Sequence, residues 1–195
     1  MTENLHYKIL VSLGNIRLKH YSVPLGEEDA RNDEKRPGYL LVYGFDTNNR
    51  SHNSNVRNGT KHPLVGSQVP DDLKTLLEHD LLHVDGAVFI GKDNILYRVG
   101  AHLLNNVPPE RVAEQLELQL SDEDWETFGF AHPVNTRHLN AIYGSFLMPE
   151  TRFYTMSGKT GDIRVYADGR IIKSTIPEEK TSQMRPYNRL EALVA

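Results

Sequence analysis

The 195-residue chain contains no cysteine. Disulfide staples, thiolate metal sites and cysteine nucleophiles are therefore excluded. Long hydrophobic runs are absent too. No apolar stretch comes near the ~18 residues needed to span a bilayer, and Met1 to His6 is polar, without a signal-peptide core. These absences predict a soluble, cytoplasmic chain with no membrane partner. Nor is there an excess of positive charge: 26 acidic residues against 22 basic ones leave a net charge of -4. Such a balance argues against nucleic acid as a partner, because binding it needs a basic surface to displace counterions. Apolar residues are scarce as well, at 38%. One modest core with generous polar loops follows. There is no internal repeat or heptad array.

What is present reads as helices interleaved with strands. Gly38 to Gly44 is a short apolar run bounded by glycines, which suits a buried strand. Before it lie one apolar patch, Ile9-Leu10-Val11, and a charged surface loop from Glu27 to Arg36. After it, Phe45 to Leu64 holds five asparagines and reads as a long loop. Pro70-Asp71-Asp72 starts a helix ending near His83, with Leu73, Leu76, Leu77 and Leu81 on one face. Ala87 to Ile90 and Ile95 to Val99 form a hairpin around Lys92-Asp93-Asn94. Helices start at Pro108 and after Ser121. A third carries the stripe Leu139, Ile142, Tyr143, Phe146 and Leu147. Phe153 to Met156, Ile163 to Tyr166 and Ile171-Ile172 are the last strands, and the tail from Pro177 is polar until Leu190, where a terminal helix is expected. The predicted fold class is α/β: a single domain with a central mixed, twisted β-sheet flanked by helices.

Several motif fragments fail on their chemistry. His79-Asp80-Leu81-Leu82-His83 has the histidine spacing of a zinc-protease helix but an aspartate where that chemistry needs glutamate. Gly158-Lys159-Thr160 resembles the end of a phosphate-binding loop, yet the required glycine five residues earlier is Phe153. Gly144-Ser145-Phe146 lacks the second glycine of a nucleophile elbow. The sequon Asn58-Gly59-Thr60 carries no weight without secretion.

Two segments point to chemistry. Asp85-Gly86-Ala87 sets a carboxylate and two small residues at the mouth of a strand, which suits a ligand held close to the backbone beside a metal-binding acid. An ordinary Asp-Gly turn is the plain alternative. Asn135-Thr136-Arg137-His138 falls at a helix start, where free amides, a hydroxyl, a forked cation and an imidazole make a coherent phosphate site. A simple cap by Asn135 or Thr136 is the alternative there.

Together these segments resemble the diadenylate cyclase family, the nucleotide-binding domain type of the DNA integrity scanning protein. Leu82-His83-Val84-Asp85-Gly86-Ala87-Val88 is similar to the family's PLHDGAV, and Asn135-Thr136-Arg137-His138-Leu139 to its GTRHR. Thr155 to Ile163 follows the shape of its VVSEETGxI, and the likeness runs from about Gly38 to Ile172. The departures are Asn135 for glycine, Leu139 for the last arginine, and Gly158-Lys159 for two carboxylates. The resemblance implies an N-terminal extension over 1–37, a nucleotide-binding domain over 38–176 and a tail over 177–195. It implies condensation of two ATP into cyclic di-AMP by a face-to-face homodimer using Mg²⁺ or Mn²⁺. Asp85 would be catalytic and hold the metal, with Arg137 and His138 catalytic beside it. Gly86, Ala87, Leu103, Thr136, Ser157 and Lys159 would bind substrate. A module that binds ATP or a cyclic dinucleotide without turnover is the rival implied by the departures.

Overall fold

The computed structural model describes residues 5–22, 36–57, 61–82, 84–104 and 108–181. The charged loop over 27–35, His83, the Asn58 sequon and the expected terminal helix lie outside the described residues.

The chain opens with α1 (Leu5–Tyr21), β1 (Tyr39–Phe45), α2 (Arg50–Ser54), β2 (Val56–Arg57) and α3 (Leu73–Thr75). α3 runs on into a wider π-helical turn, Leu76–Asp80. There follow β3 (Ala87–Gly91), β4 (Leu96–Leu103), α4 (Pro109–Gln115), α5 (Asp124–Thr127), α6 (Thr136–Leu147), β5 (Arg152–Met156), β6 (Ile163–Ala167) and β7 (Arg170–Ser174). The seven strands form one sheet in the order β2-β4-β3-β1-β5-β6-β7. β1 pairs parallel with β3 and antiparallel with β5; every other pairing is antiparallel. The sheet is therefore mixed, as the α/β reading expects.

Each face of the sheet carries its own apolar layer. On one side, Leu73, Leu76, Leu77 and Leu81 pack with Val88, Ile90 and Leu96. On the other, Ile142 and Tyr143 of α6 and Val112 of α4 cover Val42, Phe89 and Phe153. Burying a side chain of this size contributes about 1.5–3 kcal/mol. β1 and β3 sit between the two layers, which explains their near-continuous apolar sequence.

The structure extends beyond the elements expected from the sequence, and the loop over 45–64 is one correction. Residues before the first strand pack into the core: Leu5, Ile9, Leu13 and Ile16 of α1 recur at four, four and three and are at most 5% exposed. They share a core cluster with Tyr39 and Leu41 of β1. Glu78 ties α1 down, accepting from Lys19 Nζ and facing His20 Nε2, each at 3.0 Å. The long loop over 45–64 also contains structure. Asn49 caps α2 through its side chain, and β2 adds a two-residue edge to the sheet.

Candidate functional site

β3 and α6 begin on the same side of the sheet, and their first residues meet. A cavity of about 350 Å³ is lined there by Leu40, by Asp85-Gly86-Ala87, by Ala101-His102-Leu103 of β4, and by Asn135, Thr136, Arg137 and Asn140. Of the residues singled out in the sequence, Asp85, Gly86, Ala87, Leu103, Thr136 and Arg137 line it. His138, Ser157 and Lys159 do not.

The conformation of each wall has a local cause. Gly86 has φ +104°, and a Cβ there would lie 2.7 Å from the Gly100 carbonyl carbon and 2.8 Å from the Ala101 oxygen. The glycine is thus demanded by β4, whereas the sequence reading assigned it to ligand approach. Gly38 is constrained by the site itself. A Cβ on it would fall 2.5 Å from Arg137 Nη1 and 2.8 Å from the Gly158 amide nitrogen. The Arg137 guanidinium and the Gly158 backbone therefore both crowd the residue just before β1.

Asn135 is the N-cap of the 12-residue α6, but its side chain makes no capping bond and the first turn has no acid. The positive end of the helix dipole is left uncompensated at the cavity wall. Arg137 has no ion pair or hydrogen bond among the described residues, and neither has the exposed Asp85 carboxylate. One unpaired cation, one unpaired anion and an open helix start thus share a small concave space. That arrangement suits a ligand bearing phosphates.

His138 is placed differently from the sequence expectation. Its ring is 2% exposed, and Nδ1 lies 2.9 Å from both Tyr166 Oη and Thr155 Oγ1. Burial, with Arg164 and Arg137 adding, pushes its pKa down to about 3. It is a neutral buried imidazole whose hydrogen bonds anchor the first turn of α6 to β5 and β6. Below it, Arg164 donates from Nε and Nη2 to Glu179 at 2.7–3.0 Å, both side chains almost fully buried. Ser157 caps its own turn: its Oγ accepts from the amides of Lys159 and Thr160 at 3.3 and 3.2 Å. Lys159 is exposed on that turn. Leu139 lies in a separate hollow beside Asp122, Glu123, Asp124 and Trp125. Sequence reasoning missed Asn140 and Leu40 as lining residues. Asn140, one helical turn beyond Thr136, was the detectable one.

Among the described residues, no cluster of three or more His, Asp or Glu is placed to hold a metal ion. Asp85 alone fits a different mode. Mg²⁺ is commonly held by one or two carboxylates together with substrate phosphates, and Asp85 offers one free carboxylate beside a phosphate-suited wall.

The fold is a single-domain α/β architecture with a cavity at one end of its central strands. No protein-family model matches the chain, and no curated protein matches it. Solved structures do. A hypothetical membrane spanning protein from Bacillus cereus aligns with TM-score 0.52 at 16% identity, covering 86% of this chain and 62% of that one. The chain thus spans under two thirds of that protein, and at this identity the likeness concerns the fold. A double mutant of DacA from Staphylococcus aureus aligns with TM-score 0.48 at 18% identity, covering 89% of both chains. Among the described residues, no helix is long and apolar enough to cross a membrane.

Proposed function

We propose that the cavity binds ATP and that the chain is a diadenylate cyclase, joining two ATP into cyclic di-AMP with release of two pyrophosphates. One observation carries the reading. Two segments about fifty residues apart, each resembling a motif of that family, line one cavity and bring to it an unpaired carboxylate and an unpaired guanidinium.

The roles follow from the chemistry. Arg137 and the α6 amides take phosphate oxygens and stabilise charge on the departing pyrophosphate. Leu103, with His102, faces the purine. Asp85 holds the divalent cation that arrives with the triphosphate and orients the 3′-hydroxyl. When bound, that Mg²⁺ or Mn²⁺ neutralises phosphate charge and acidifies the hydroxyl. Each 3′-oxygen forms a bond to the α-phosphorus of the other nucleotide. The bond from that phosphorus to pyrophosphate breaks, and the hydroxyl proton passes to solvent. Lys159, on the turn beside Arg137, adds a mobile cation. Two facing copies supply the two nucleotides.

A nucleotide-binding module without turnover is the second reading. The inward-facing neutral His138 and the displaced Leu139 favour it, because Arg137 is then the one cation left from the three-residue motif. Incubating the full chain with ATP and Mn²⁺, followed by mass spectrometry, separates the two. Cyclic di-AMP supports the cyclase. Bound ATP with no product supports the module, and neither product nor binding overturns both.

A further inference from the structure

A second concavity lies on the opposite face of the sheet. It measures about 720 Å³ and runs between the outer side of α1 and strands β6 and β7, the latter at the sheet edge. Its walls are Leu10, Val11, Gly14 and Leu18 on the helix and Ile163 and Val165 on the sheet. Tyr7, Val11 and Leu18 are 60%, 41% and 70% exposed. With Gly14 they repeat at four, three and four residues, the spacing of a helix seam. α1 therefore carries a second apolar stripe opposite the one that packs in the core. An α-helix apolar on both sides is normally covered on both.

Gly14 fits a covered seam. A glycine inside a helix is unfavourable relative to alanine, and a Cβ at Gly14 would meet nothing within 4 Å. Among the described residues, no packing contact requires it. A glycine there leaves room for another backbone to approach closely. The charges choose among occupants. Among the described residues, the charged ones lining the groove are Arg17 and Lys173, with no carboxylate. Arg17 leans toward Asp162 at 3.6 Å, leaving Lys173 exposed on the rim. A second copy would bring the same cations face to face. A groove bounded by a helix and a sheet is also concave, which suits a cylinder better than a flat lipid surface.

We propose that this groove docks an amphipathic helix of another protein, whose apolar stripe is flanked by carboxylates. The probe is a stapled, fluorescein-labelled 18-residue helix with a leucine stripe flanked by glutamates, and a twin flanked by lysines. Anisotropy with the full chain should show the glutamate peptide binding at least about tenfold tighter, a 1.4 kcal/mol preference. Leu18→Ser should abolish most of that binding, and Arg17→Glu with Lys173→Glu should invert the preference. Gly14→Ala should weaken binding while leaving the melting temperature unchanged or higher. Equal affinity for both peptides, or indifference to Leu18→Ser, overturns the proposal. So does a dimer that Leu18→Ser dissolves, or flotation with phosphatidylserine vesicles, if the glutamate peptide does not bind. A fall of several degrees in melting temperature on Leu18→Ser alone also overturns it, because the chain would then be covering the stripe itself.

Discussion

At the scale of single residues, Asp85 and Arg137 matter because neither is used by the fold. Charged side chains left without partners beside a concavity are free to spend their interaction energy on a ligand. Asp85→Asn keeps the shape and removes the charge. Cyclic di-AMP formation should then fall at least ~100-fold, the scale of losing one main transition-state contact, while the melting temperature stays put. Comparing product formation with thermal unfolding of the same variant checks both halves. Lys159→Ala should lower turnover by about tenfold, in the range of a partly solvated charged contact. A restoring arginine at position 139 is not expected to help. Leu139 lies beside Asp122 and Asp124, so Leu139→Arg would pair with those acids. A double-mutant cycle on turnover should therefore find the two substitutions additive. Strong coupling would show the arginine reaching the phosphates after all.

At the scale of elements, α6 is held by its buried underside. The His138 imidazole is pushed down to about 3 by burial, with Arg164 and Arg137 adding, whereas an unfolded histidine takes its proton near 6.5. Between those values the unfolded chain binds one more proton. Stability from this residue is thus complete above about pH 6.5 and is lost as pH falls toward 3, at up to ~1.4 kcal/mol per unit. His6 and His52 are lowered too, chiefly by burial, and contribute in the same direction. Urea unfolding from pH 7 to 4 should show a shallower decline for His138→Gln than for the native chain. An identical slope would remove His138 from the account. Glu179→Gln leaves Arg164 buried without its anion and should destabilise by about 3–5 kcal/mol, read in the same titration.

The elements also show what the sequence could carry. The leucines of α3 and the stripe of α6 were legible because one face is apolar and the other polar. α1 was not, because Val11 and Leu18 face outward while Ile9 and Leu13 face inward, and this blurs the period. β2 is two residues long and exists by pairing with β4, a tertiary cause with no local sequence signal. The site divides similarly. The family resemblance implied one site for Asp85 and Arg137, and both line one cavity. Residue types could not tell that His138 turns inward to Tyr166 and Thr155, or that Ser157 is occupied by its own turn, because both depend on side chains distant in sequence.

At the scale of the molecule, the proposed reaction gives each cavity one nucleotide, yet cyclic di-AMP joins two related by a twofold axis. An isologous pair of chains is the geometry that meets this need. Specific activity should rise with protein concentration until dimers saturate. Constant specific activity down to a monomer demonstrated by sedimentation would contradict it.

The central claim is that the cavity lined by Asp85 and Arg137 holds the phosphates of ATP. Calorimetric titration of an ATP analogue with a methylene bridge between the α- and β-phosphates, in Mg²⁺, tests it without turnover. The account predicts saturable binding to the full chain, weakened about 10- to 150-fold by Arg137→Ala, the equivalent of 1.5–3 kcal/mol for a charged hydrogen bond. No binding, or equal affinity in the two proteins, would contradict it.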